Sequence, residues 1–197
     1  MIGLSPRKMD IMPHSSNVVV LCGSLRSGSY HATIARSLQE LAPEGMLVTV
    51  LGGLDELPHY NADIQAEGFP AKALALGEAI RGASGVLFVT PEYNYSIPGF
   101  LKNALDWVSR LSPPPFRGKP VAIQTASAGV LGGIRAQYHL RQVLVFLDAL
   151  PLNKPEVVIG SAGSKISDGR LVDPATRDFI AGQLVAFAQF IDRHGQA

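Results

Sequence analysis

Short unbroken apolar runs alternate along this chain with stretches whose apolar positions recur every three to four residues. The runs are Val18-Val19-Val20-Leu21-Cys22, residues 46–51, Val86-Leu87-Phe88-Val89-Thr90, Val121-Ala122-Ile123-Gln124-Thr125 and Val157-Val158-Ile159. Runs this short, without polar alternation, suit strands buried on both faces of a parallel sheet. Between them, Ile34, Leu38 and Leu41 mark a helix over 31–42, stopped by Pro43. An Ala-rich helix over 71–81 follows Pro70. Leu101, Leu105 and Val108 mark a helix over 100–111 that ends before Pro113-Pro114-Pro115. A long helix is predicted over 134–150. A closing helix over 175–193 carries Phe179, Gln183, Ala186 and Phe190 at the helical step, with Leu184, Phe187 and Ile191 widening the stripe. Residues 52–68 read as one long loop rich in Gly, Pro, Asn and Asp.

Strands alternating with helices predict an α/β fold with a parallel sheet and right-handed crossovers. Five strands at this length fit a three-layer flavodoxin-like fold, a five-stranded parallel sheet of order 2-1-3-4-5 with helices on both faces. A length of 197 residues is one domain's worth. Residues 1–16 mix Pro, Lys, Arg, Asp, His and Ser and are expected to be a flexible extension; residues 17–197 form the single domain. The extension lacks the continuous apolar core of a secretory signal, and no apolar run reaches about 18 residues.

Charge alters the picture mainly by exclusion. Seventeen basic and sixteen acidic residues give a net charge of +1, with no basic block or stripe, which argues against nucleic acid as the partner. Charged residues make up 17% against about 25% in ordinary domains, a hint that part of the surface is covered in an oligomer. The one cysteine, Cys22, excludes an internal disulfide or a Cys-ligated cluster and fits the reducing cytoplasm. It reads as a buried small hydrophobe rather than a reactive thiol. The five histidines lie in separate segments without metal-ligand spacing, so no metal site is expected.

In such a sheet, ligands bind beyond the carboxyl ends of the strands, at the switch point between strands 1 and 3. The three loops there are unusual. Gly23-Ser24-Leu25-Arg26-Ser27-Gly28-Ser29-Tyr30-His31 offers glycine turns, hydroxyls, one guanidinium and a helix N-terminus, a setting for an anion. Gly23 and Gly28 have Walker spacing, but Ser29 stands where that motif needs lysine. A phosphate monoester therefore fits better than a triphosphate, and a turn that only caps the helix is the plainer alternative. Residues 91–99 hold Glu92, Tyr93, Asn94 and Tyr95 between prolines. They either cover a flat heteroaromatic ring or form a rigid surface turn with the tyrosines packed inward. Ser127-Ala128-Gly129-Val130-Leu131-Gly132-Gly133 either brings backbone N–H groups to a ligand edge or is an ordinary glycine-rich turn. Taken together, the loops outline phosphate at the first and a ring between the other two, which points to FMN.

These segments resemble the NAD(P)H-dependent FMN reductases, and within them the bacterial quinone and chromate reductases. The resemblance is carried by residues 23–30, by the nonapeptide at 91–99 with Leu101-Lys102-Asn103-Ala104 and Asp106-Trp107, and by Ser127-Ala128-Gly129, Gly132-Gly133, Arg135 and residues 137–141. It covers residue 17 to the C-terminus. It implies non-covalent FMN, with phosphate contacts from Ser24, Arg26, Ser29 and Tyr30, ring contacts from Pro91, Glu92, Tyr93, Asn94 and Tyr95, and Ser127 and Gly129 at the ring edge. His31 stands where the family usually has Asn, a helix-capping residue, and is expected to donate to the phosphate. Also implied are NADH or NADPH as co-substrate, hydride transfer to flavin N5, and a ping-pong passage of two electrons to a quinone, with chromate a side acceptor. No side chain is expected to act as nucleophile or obligatory acid or base, because the flavin carries the chemistry.

The resemblance further implies a homodimer or homotetramer with small-molecule acceptors. Arg135 and Arg141 are either seats for an anionic acceptor or, as the plainer reading, surface or interface residues; Trp107 belongs to the core or an interface, and Tyr138 and His139 to a subunit contact. The rival readings are a flavodoxin-type electron carrier, which would usually be acidic, and a nucleotide-binding module without redox chemistry.

Overall fold

The structure, a computed structural model, describes residues 15–195. Most of the extension expected over 1–16 lies outside the described residues; Ser16, its last member, opens the first strand. In chain order the elements are β1 (Ser16–Cys22), α1 (Tyr30–Leu41), β2 (Met46–Leu51), α2 (Ala62–Glu67), α3 (Ala71–Gly82), β3 (Gly85–Thr90), α4 (Gly99–Val108), β4 (Pro120–Ala126), α5 (Ile134–Phe146), β5 (Leu150–Pro151), β6 (Val157–Ile159), β7 (Ile166–Ser167), β8 (Arg170–Leu171) and α6 (Pro174–His194).

The main sheet is parallel throughout, in the order β2-β1-β3-β4-β5. The predicted order and fold class therefore hold. The fifth strand is split: β5 pairs with Pro120 and Val121 at the start of β4, and β6 with Gln124, Thr125 and Ala126 at its end. Every residue of β3 and β4 is buried, as continuous apolar runs require of central parallel strands. Alternate strand residues feed two cores. Val19, Leu21, Phe88 and Ile123 pack under α3, α4 and α5, while Val18, Val20, Leu87 and Ala122 pack under α1 and α6.

Three expectations need correction, and one feature is added. The helix predicted over 134–150 ends at Phe146. Asp148 takes the left-handed conformation at φ 54°. Its N–H donates to the Val145 carbonyl and that of Ala149 to Leu144, a Schellman closure, so the apolar run that follows belongs to β5. The stretch 52–68 is not one loop. It contains a short 3₁₀ turn (Leu54–Glu56) and α2, capped by Asn61 Oδ1 on Asp63 N at 2.8 Å and ended by Gly68. No residue of α2 is buried, so it leaves no apolar periodicity. In α6 the buried stripe is Ile180, Gln183, Leu184, Phe187 and Ile191, rotated from the predicted one; Phe179 faces out. Finally, β7 and β8 form an antiparallel hairpin across Asp168-Gly169, both at positive φ, which is the Asp-Gly signal of a tight turn.

Candidate functional site

The first loop leaves β1 against β3. Gly23 N donates to Val89 O at 2.8 Å, and a Cβ on Gly23 would run into Thr90. The chain then turns into α1, with Ser29 as N-cap at φ −75° and ψ 152°; its buried Oγ accepts from Ala32 N at 3.0 Å. The capping alternative is thus part of the structure. It leaves other donors free: among the described residues, none accepts from the backbone N–H groups of residues 24 to 28, Tyr30 or His31. Arg26 is exposed and has no carboxylate partner among the described residues. Ser24 is half-buried at the turn. A run of unpaired N–H donors, one free guanidinium and the positive end of a 12-residue helix fit a phosphate. Tyr30 packs its ring on the α1–α6 side of the core, with its hydroxyl facing Gly163.

His31 points across the sheet edge rather than outward. Its Nε2 lies 3.0 Å from the Ala126 carbonyl at the end of β4 and so carries the proton. Burial holds the imidazole neutral: its pKa falls from 6.5 to about 4, with the Ala126 bond opposing the shift and Arg26 adding to it. As pH falls, the unfolded chain takes up this proton first. His31 therefore contributes stability that is complete above about pH 6.5, drains away as pH falls toward 4, and amounts to about 3 kcal/mol. Urea unfolding at pH 7 and pH 4.5 should show that loss, and His31→Asn should reduce it; equal pH dependence in the variant and the natural chain would contradict the assignment.

The second loop is a two-residue hairpin. Tyr93 N donates to Ser96 O at 2.8 Å and Ser96 N to Tyr93 O at 3.0 Å. Asn94 and Tyr95 between them sit at φ 49° and 70°, as a turn of this type requires. Asn suits that conformation; Tyr does so at a cost of about 1 kcal/mol or more. Arg135 faces Tyr95, its guanidinium carbon 3.8 Å from the ring centroid. Pro91 is buried, but Tyr93 and Tyr95 are 52% and 65% exposed, which excludes the alternative with rings packed inward. Glu92 turns the other way, its carboxylate meeting the start of α5.

The third loop is bound to a segment that the sequence reading missed. Ser127 N donates to Ile159 O, Ser161 N to Gly129 O and Ala162 N to Ser127 O, each at 3.0 Å. Ser127 Oγ donates to Gly129 O at 2.9 Å. Gly132 and Gly133, at φ 58° and 84°, turn the chain into α5. Gly160-Ser161-Ala162-Gly163-Ser164 is thus a fourth loop at the same sheet edge, and Gly163 touches Tyr30 of the first. The sequence signal is a Gly/Ser-rich stretch directly after β6, like the first and third loops.

Residues of the resemblance on α4 prove to be supports. Asn103 Oδ1 accepts from Tyr60 N at 2.8 Å, and its Nδ2 donates to Pro58 O at 3.0 Å. Trp107 is fully buried, donates to Pro58 O at 2.7 Å and meets Tyr60 edge-on at 5.1 Å. Together they pin the connection after β2; Trp107 is core. Arg141 donates to Asn153 Oδ1 and Leu152 O, both at 3.1 Å, so neither Arg135 nor Arg141 is a free cation. Cys22 is half-buried beside a 310 Å³ cavity, and burial raises its thiol pKa above the usual range, which keeps it protonated and unreactive.

The sequence pattern of the family described as NADPH-dependent FMN reductase matches residues 16–164. A quinone reductase of Escherichia coli (strain K12) is 54% identical over 185 residues, covering 92% of this chain and 98% of the relative. An NAD(P)H-dependent FMN reductase of Pseudomonas aeruginosa is 49% identical over 183 residues, covering 92% and 98%. In solved structures, the flavoenzyme NAD(P)H:(acceptor) oxidoreductase FerB of Paracoccus denitrificans superposes with a TM-score of 0.82 at 36% identity, over 91% of this chain and 98% of that one. FMN and NAD(P)H are accordingly the flavin and the electron donor of this chain. The loops that carry the resemblance lie within the matched span, and the chain belongs to the NADPH-dependent FMN reductase family.

Proposed function

We propose that the chain is an FMN-containing oxidoreductase that takes electrons from NADH or NADPH and gives them pairwise to quinones. The observation that carries this reading is the joining, at one sheet edge, of an N–H-rich helix start with two outward tyrosines. FMN held there would supply the redox chemistry, a hydride acceptor at N5 and a two-electron donor, with donor and acceptor using one face in turn. The residues bind and orient. Ser24, Arg26, Ser29 and Tyr30, with the free N–H groups of residues 24–28 and 31, hold or border the phosphate, while the His31 ring, its one proton given to Ala126 O, braces the first loop against β4. Pro91, Tyr93, Asn94 and Tyr95 border the ring on one side, and Ser127 and Gly129 on the other. Chromate is a side acceptor that needs no seat on Arg141, whose guanidinium is already engaged.

A homodimer or homotetramer fits the exposed side of α5. Val145 and Phe146 are 78% and 75% exposed there, beside a 540 Å³ groove between α4 and α5. We place the protein in the cytoplasm on its single cysteine, which can form no disulfide within the chain. No helix among the described residues is long and apolar enough to cross a membrane. Steady-state oxidation of NADH and NADPH, with and without benzoquinone, tests the reading. Quinone-dependent oxidation by the FMN-loaded chain is expected; tight FMN with negligible turnover would favour the carrier alternative.

A further inference from the structure

The 13-residue helix α5 begins badly by its own sequence. Its N-cap is Gly133, which has no side chain to offer, and its first turn holds Arg135 and no acid. A cation there opposes the positive end of the helix. Gly133 is not replaceable by a capping residue. It lies at φ 84°, and a Cβ would come 3.1 Å from Thr125 Cβ and 3.6 Å from Glu92 Cβ. The missing acceptor arrives from the neighbouring loop. Glu92 Oε2 accepts from the backbone N–H groups of Arg135 at 3.1 Å and Ala136 at 3.3 Å. Glu92 Oε1 lies 3.0 Å from Arg135 Nε, an ionic contact off the N–H axis, since that nitrogen makes no hydrogen bond. The Glu92 side chain is only 13% exposed, so these contacts are made largely out of water.

We infer that Glu92 is a positioning residue: a helix cap supplied by the second loop to the helix that follows the third. It thereby fixes the separation of the two loops that flank the ring, and through Arg135 it steadies Tyr95 in its left-handed turn. The inference rests on the proposed placement of FMN between these loops. It moves Glu92 out of the ring contacts that the family resemblance implies.

The test compares Glu92→Ala, Glu92→Asp and Glu92→Gln in the full chain. Alanine removes the acceptor and aspartate falls short of α5, while the glutamine oxygen can still accept from the two N–H groups. In the FMN-free protein, hydrogen exchange at Arg135 and Ala136 should speed up at least tenfold in E92A and E92D and stay slow in E92Q. With FMN, E92A and E92D should bind at least tenfold more weakly and show a visible band closer to that of free flavin; E92Q should recover most of both losses. If E92A fails to fold, E92D carries the comparison. Unchanged exchange in E92A and E92D overturns the cap. Unchanged FMN affinity and spectrum in variants that have lost exchange protection overturn the positioning role. E92Q as impaired as E92A in FMN binding but not in exchange would make Glu92 a direct contact of the flavin, and also overturns it. A natural chain that binds no FMN overturns the flavin reading, and with it the positioning role, while the exchange data still decide the cap.

Discussion

Gly23→Ala should cripple both folding and flavin binding. A Cβ at this position collides with the Thr90 hydroxyl and would lie 2.7 Å from Thr90 Cβ and 3.0 Å from Thr90 Cα. The last two atoms cannot swing aside. The ends of β1 and β3 must therefore separate where Gly23 N bonds to Val89 O, at the carboxyl edge of the sheet beside the fully buried β3. Forced overpacking of this kind costs about 3 kcal/mol at the upper end of its usual range, a large part of the stability of an ordinary domain. The same displacement moves the first loop off the sheet edge. Gly28 is the internal contrast: open space surrounds its Cβ position and its φ is not positive, so Gly28→Ala should change stability by no more than about 0.5 kcal/mol. Urea unfolding and the flavin content of purified protein measure both effects. Natural stability and full flavin content in Gly23→Ala would show that the two strands do not need this close approach.

Arg26→Ala should do the opposite, leaving the fold intact and weakening FMN. Arg26 is exposed and makes no ion pair among the described residues, so its removal takes little from the folded chain. If it holds the phosphate, the loss is a charge-assisted contact worth about 1.5–3 kcal/mol, or about 10- to 100-fold in affinity. The effect should shrink as salt is raised, because the contact is ionic and open to solvent. Fluorescence titration of apo protein with FMN at two ionic strengths reads both. Equal affinity in the variant and the natural chain would remove Arg26 from the phosphate site.

The architecture was legible because parallel strands buried on both faces have to be continuous apolar runs, and β1, β3 and β4 are. What stayed hidden was held by features other than apolar periodicity. The solvent-facing α2 rests on Asn61 and Gly68. The end of α5 is set by one left-handed residue, Asp148, inside an apolar run that reads equally well as more helix. At the site, the composition of three loops was enough to point to a phosphate and a ring. It could not show that Glu92 faces α5 rather than the ring, because an acid between an apolar strand and two tyrosines reads the same either way. Nor could it show that His31 reaches Ala126, a partner 95 residues away. The fourth loop at 160–164 carried the same glycine and serine signal as the first and third, and reading it needed only the rule that ligands bind beyond the carboxyl ends of the strands.

A sheet edge that holds FMN between a reduced nicotinamide nucleotide and a quinone must take up and release electrons in two separable steps. The most direct measurement is anaerobic mixing of the FMN-loaded protein with NADH or NADPH in a stopped-flow instrument, with benzoquinone added once the flavin band has bleached. The band should bleach, and then return on quinone addition, each at least as fast as steady-state turnover. Flavin that stays bound but bleaches far more slowly than turnover, or that stays bleached after quinone is added, would contradict that two-step passage.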